Sequence, residues 1–137
     1  MNRRDLQNLA NVRLREAKVL YRARKYSGAY YLAGYAIECA LKACIAKGFK
    51  RHEFPDKKNV IESHTHDLKK LASLANLEQS RLICAQSDPV FRDNWALIVR
   101  WSEESRYTTS DEQACKEFLD AIMEKRHGLM PWIKQLW

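Results

Sequence analysis

Apolar side chains recur every three or four positions along most of the chain, the period of a helix packed on one side. Leu6, Leu9, Ala10, Leu14, Ala17, Leu20 and Tyr21 predict a first amphipathic helix over about Arg4 to Arg24. From about Ser27 to Lys47 the pattern changes, because Tyr30, Tyr31, Ala33, Gly34, Ile37, Ala40, Leu41, Cys44 and Ile45 cover much of the circumference. This segment is therefore expected to be the central helix, with Ser27 as a candidate N-cap and Gly48 in the stop position. Alanines at 29, 33, 36, 40 and 43 would let a neighbour approach closely. Phe49 to Ser63 is polar, contains Pro55 and reads as a long loop. A short helix is expected to begin at Thr65 or His66 with Leu68, Leu71, Ala72 and Ala75 inward, and another to span Leu77 to Gln86. Asp88 followed by Pro89 predicts an N-cap and first helical residue for a helix running to about Trp101. Ser102 to Thr109 is then a second loop, and Ser110 with Gln113 a capping box for a last helix from Asp111 to about His127, with Gly128 as its stop. The terminal LMPWIKQLW is apolar and should dock on the domain or on a second copy.

These elements predict an all-α protein, an antiparallel up-and-down four-helix bundle with additional short helices, in one domain over residues 1–137. Four Gly and three Pro agree, since they leave too few turns for many hairpins. The longest apolar candidate, Ala29 to Ile45, is interrupted by Glu38 and Lys42, which argues against a membrane span. No apolar stretch of a signal peptide follows the basic start, so a cytoplasmic protein is expected. Cys39, Cys44, Cys84 and Cys115 lack Cys-x-x-Cys spacing and read as small buried hydrophobes.

The formal charge is +7. Residues 1–50 hold 11 basic and 3 acidic side chains, net +8, and the rest is nearly neutral. Arg3, Arg4, Arg13, Arg15, Lys18, Arg22, Arg24 and Lys25 are therefore candidate contacts to a polyanion, the alternative being a solvated face. Glu38 is an anomaly, an ionisable group in line with Tyr31, Gly34, Leu41 and Ile45 that is costly to bury unless paired. Arg100 is its expected partner across the bundle, with a site carboxylate as the alternative. Tyr26, Tyr30, Tyr31 and Tyr35 suit core packing, and base stacking is the alternative. His64 and His66 with Asp67 resemble a metal pair in composition only; His66 and Asp67 better suit a helix start, so no metal and no cofactor is expected.

The stretches YSGAYYLAGYAIECALKACIAKG, THDLKKL and WALIVRWSEESRY resemble the HEPN superfamily over roughly Leu6 to Phe118. The matching motifs are Glu38, Leu41, Lys42 and Ala43, then His66, Asp67 and Leu68. The resemblance implies a helical bundle, commonly dimeric, either a ribonuclease of toxin–antitoxin or defence systems or a partner of a small nucleotidyltransferase. Catalytic members place a His after an Arg with four to six residues between the two, and no His of this chain has an Arg at that spacing. The nearest equivalent is Arg100-x5-Arg106 followed by Tyr107. Arg stays protonated and can hold a phosphate but cannot take a proton from a 2′-hydroxyl. The expectation is thus a homodimeric domain binding RNA or a nucleotide, or a nucleotidyltransferase-type partner protein, through Arg100, Arg106 and Tyr107. One alternative is a divergent metal-independent endoribonuclease that adds Glu38 or His66 for proton transfer. The other is a purely structural interaction module.

Overall fold

The computed structural model describes residues 1–48 and 57–137. It is all-α, with eight α-helices and one 3-10 helix and no strand among the described residues. Helix α1 spans Arg3–Arg22 and α2 spans Tyr26–Lys47. After α3 (Lys57–Glu62) and α4 (Leu68–Leu74) come α5 (Glu78–Ser87) and α6 (Pro89–Ile98). A 3-10 helix, Glu103–Tyr107, precedes α7 (Glu112–Met123) and α8 (Leu129–Lys134). Where the pattern predicts helices of around 20 residues, α1 and α2 reach 20 and 22, and the others are 6 to 12 residues long.

Helix α2 is the hub, as its apolar circumference predicts. Ala33, Ala36, Ile37, Ala40, Leu41 and Ala43 are fully buried, and α1, α4, α7, α8 and the 3-10 helix all pack against it. The alanines bring α1 close, whose own inward residues are Ala10, Leu14 and Ala17. The two helices are joined by a turn in which Lys25 N–H donates to Leu20 O (2.8 Å) and Arg24 N–H to Tyr21 O (3.0 Å). That pattern places Arg24 at a left-handed position, φ 62°, which glycine would occupy without strain.

Several helix starts differ from the pattern for local reasons. Lys25 is the N-cap of α2; Ser27 is inside the helix, and its Oγ accepts from Ser110 N–H across the fold (2.9 Å). Asp67, rather than Thr65 or His66, caps α4 by accepting from Lys70 N–H. Asp111 caps α7 through Ala114 N–H, so the Ser110–Gln113 box is not formed. Asp88 does cap α6, with Pro89 behind it, but the helix ends at Ile98 rather than near Trp101. Helix α7 stops at Met123 instead of His127, because the Glu124 carboxylate turns back to accept from Arg126 and His127 N–H. Gly128 is accordingly the N-cap of α8 and not the end of α7. Gly48 does end α2, in a right-handed conformation. Of the expected loop Phe49 to Ser63, residues 57–62 are helical and 49–56 lie outside the described residues. The expected second loop contains the 3-10 helix.

The terminal segment docks on its own domain. Leu129, Met130 and Ile133 are buried, Trp132 packs on Phe91 with ring centroids 5.2 Å apart, and Arg3 donates to Trp137 O (2.7 Å). Trp132 and Trp137 are therefore half-buried against the core, not exposed. Cys39, Cys44 and Cys115 are buried free thiols and Cys84 is half-buried. The tyrosines at 26, 30, 31 and 35 pack against the core.

Candidate functional site

Glu38 is 2 % exposed, and its partners are Lys42 and His66. Lys42 stands one turn further along α2, the order of charges that suits a helix, and its Nζ donates to Glu38 Oε2 (3.2 Å). The His66 ring comes from the residue just before the α4 cap, and its Nδ1 lies 2.8 Å from Glu38 Oε1. Leu68, Leu71 and Ala72 hold α4 on α2 and so fix the ring's position. The second ring nitrogen, Nε2, lies 3.1 Å from Glu103 Oε2 on the 3-10 helix. The two nitrogens of one ring therefore face two carboxylates, from α2 on one side and from the 3-10 helix on the other. His66 thus ties the buried carboxylate of α2 to the segment that carries Arg106 and Tyr107. The expected Glu38–Arg100 pair is not formed: Arg100 is exposed, and the nearer Lys42 and His66 already satisfy both carboxylate oxygens.

Beside this cluster opens a cleft of about 490 Å³, with Lys42, Ser63, His64 and His66 on its polar side and Leu6 and Ile45 on its apolar side. Lys42 and His66 on this wall are already engaged by Glu38 and Glu103. Glu38 and Glu103 sit at opposite nitrogens of the His66 ring, so these three groups do not converge on one point. Among the described residues, no cluster of three His, Cys, Asp or Glu has the arrangement of a metal site.

Arg100 precedes a buried anchor in the chain, and Arg106 and Tyr107 follow it. Trp101 is 2 % exposed, lies in the notch left by Gly34 and stacks on Tyr31 with centroids 6.0 Å apart. Its Nε1 has no hydrogen-bond partner among the described residues. Arg100 precedes this anchor. Burial raises the Tyr30 phenol while the Arg100 charge pulls it the other way, which places that charge close to Tyr30. After the anchor, the Arg106 guanidinium lies 4.8 Å above the Tyr107 ring. Tyr107, itself 77 % exposed, and Glu103 hold Arg106 above its already high ordinary value. Neither arginine is in an ion pair among the described residues.

The basic residues of α1 do not gather on one groove. Arg13 is bound to both Glu16 oxygens (2.7 and 2.6 Å), and Arg3 is used on the terminal carbonyl. Lys18 and Arg22 flank a shallow cleft against Lys116 and Asp120 of α7, Arg15 edges an apolar groove, and Arg4 lies with Arg3 near the start of the helix. Arg24 and Lys25 are exposed in the turn before α2.

The sequence pattern did not reveal Glu103 as the second partner of His66 or Gly34 as the seat of Trp101. It also missed the ion pair of His127 Nδ1 with Asp88 Oδ2 (2.6 Å), which joins the connection between α7 and α8 to the start of α6. No motif marks these, since each joins residues far apart in sequence, 39 in the case of Asp88 and His127; a glycine inside an apolar helix was the one available signal of close approach. No described helix is long and apolar enough to cross a membrane.

Nothing matches this chain among curated proteins or among solved structures. The family model described as HEPN domain matches residues 4–136, nearly the whole chain from α1 to α8, and the protein belongs to the HEPN family.

Proposed function

We propose that this protein is a non-catalytic HEPN domain that binds RNA or a nucleotide, or a nucleotidyltransferase-type partner protein, in a toxin–antitoxin or defence setting. HEPN domains in general serve RNA- and nucleotide-related roles or accompany nucleotidyltransferases, and membership supports that class of function. The observation that carries the reading is that both arginines are exposed, Arg100 just before the buried Trp101 and Arg106 a few residues beyond it, with Arg106 laid on Tyr107. Guanidinium groups match phosphate oxygens, and an exposed ring offers a face to a base. The fixed charge of Arg106 stands where a proton-transferring His would be needed. His66 does not replace that residue in this arrangement, because carboxylates face both of its nitrogens. The protein acts in the cytoplasm, as a homodimer.

A second reading has one observation in its favour. His66 and Lys42 border the 490 Å³ cleft, so withdrawal of Glu103 would free His66 Nε2 for proton transfer in a metal-independent ribonuclease. Two assays separate the readings. Fluorescence anisotropy with a single-stranded RNA oligonucleotide should show binding that Arg100→Ala/Arg106→Ala weakens about tenfold or more, or about 1.4 kcal/mol. Total RNA incubated with the protein in EDTA should remain intact. Cleavage that His66→Ala or Arg106→Ala abolishes establishes the enzyme instead, and RNA binding unchanged by the arginine substitutions removes the proposed site.

A further inference from the structure

Helix α1 carries a second apolar stripe that its own domain covers only in part. The inner face holds Ala10, Leu14 and Ala17. On its flank, Val12, Val19 and Leu20 join Leu32 of α2 around an open groove of about 440 Å³, edged by Arg15 and Glu16. Val19 is 60 % exposed. Positions 12, 15, 16 and 19 follow the i, i+3, i+4, i+7 spacing of one helix face. Read backwards, the order valine, arginine, glutamate, valine becomes valine, glutamate, arginine, valine. The face is therefore complementary to an antiparallel copy of itself: about a two-fold axis between residues 15 and 16, Val12 meets Val19 of the partner subunit, and Arg15 meets Glu16 of the partner subunit.

We propose that this groove is where a second copy of the chain docks, α1 against α1 and antiparallel. The apolar floor supplies buried area and the two crossed ion pairs fix the register, a division of labour common in interfaces. Glu16 is held by Arg13 of its own helix, and with 44 % of its side chain exposed it remains open to a second guanidinium. A nucleic-acid backbone fits this edge poorly, since Arg15 and Glu16 sum to zero charge beside an apolar floor. The proposal rests on the two-copy part of the proposed function and identifies the surface that would serve it.

Sedimentation equilibrium over a wide range of protein concentration tests it, with circular dichroism confirming that each variant keeps its helix content. The unaltered chain should dimerise, and Val19→Glu should raise the dimer dissociation constant at least about tenfold by placing two carboxylates in the apolar floor. Arg15→Glu should weaken the dimer by setting like charges opposite one another, and Arg15→Glu/Glu16→Arg should recover much of the loss, which a change in the monomer alone would not do. A dimer whose constant none of these variants alters would overturn the groove and leave the two-copy reading standing. A monomer at every concentration would overturn both. RNA binding lost in Val19→Glu without any change in mass would also overturn the proposal, in favour of a nucleic-acid face.

Discussion

Replacing Gly34 by Ala tests the seat of Trp101, on which the placing of Arg100 and Arg106 depends. A Cβ on residue 34 would lie 2.2 Å from Cε2 and Nε1 of the Trp101 ring and 2.3 Å from Cδ1. Ordinary contact begins near 3.4 Å, so the ring has to retreat by about 1.2 Å. It is the body of a buried indole stacked on Tyr31 rather than the tip of a flexible side chain. Overpacking of this kind costs about 1–3 kcal/mol. Ala in a helix interior returns about 0.5–1 kcal/mol relative to Gly, so Gly34→Ala should destabilise by about 1–2 kcal/mol, a fall in Tm of about 3–8 °C for a domain of this size. Trp101→Ala alone should cost about 3–5 kcal/mol. With the ring gone, the extra methyl has room, and Gly34→Ala should become neutral or slightly stabilising. Urea unfolding followed at 222 nm for the four members of this cycle should therefore give a coupling of about 2 kcal/mol. Additive effects, or a Gly34→Ala variant as stable as the parent, would refute the close approach and with it the anchoring of the arginine segment.

Two further outcomes follow from the chemistry of buried and paired groups. The hydrogen bond from His127, with Phe91 N–H, holds the Asp88 carboxyl below its ordinary value. A depressed carboxyl pKa contributes stability that is present above the unfolded value, about 3.9, and is lost as pH falls through the folded one. Asp88→Asn should lower stability at pH 7 and flatten its decline below about pH 4 in denaturant titrations; an unchanged acid limb would contradict the pairing. Burial pushes the Cys39, Cys44 and Cys115 thiols up to about 11, while Cys84 is half-buried on α5. Labelling with a thiol-specific disulfide reagent should show one early thiol, absent in Cys84→Ser, and three that react only on unfolding. Early modification of two or more would argue against the packing of α2 and α7.

Much of the fold was legible in the spacing of apolar residues, because a helix that must bury a stripe announces it. The crowded circumference of α2 marked it as the hub, and Asp88 with Pro89 marked the start of α6. Boundaries were less legible where neighbouring polar residues compete for one cap: Asp67 takes α4 from His66, and Asp111 takes α7 from Ser110, because each carboxylate reaches the helix N–H groups directly. The site was half legible. A carboxylate on an apolar stripe demanded a partner, and Glu38 has two, but which cation would reach it depended on packing that spacing does not encode. Lys42 needs one helical turn, His66 needs α4 folded onto α2, and Arg100 points elsewhere because Trp101, the next residue, is the one buried. The basic character of the N-terminal third was also legible, but not its division: Arg13 and Arg3 are used within the fold, and the others face different sides.

The most direct test of the account is the salt dependence of RNA binding. A contact to a single-stranded phosphate contributes about −0.7 to the slope of log K against log salt, so loss of two such contacts should make the slope shallower by about 1.4. Anisotropy titrations of one RNA oligonucleotide across a range of salt, with the unaltered chain and with Arg100→Ala/Arg106→Ala, should show that difference together with weaker binding. Equal slopes for the two proteins, or binding by the unaltered chain that is indifferent to salt, would contradict the claim that Arg100 and Arg106 are the phosphate contacts.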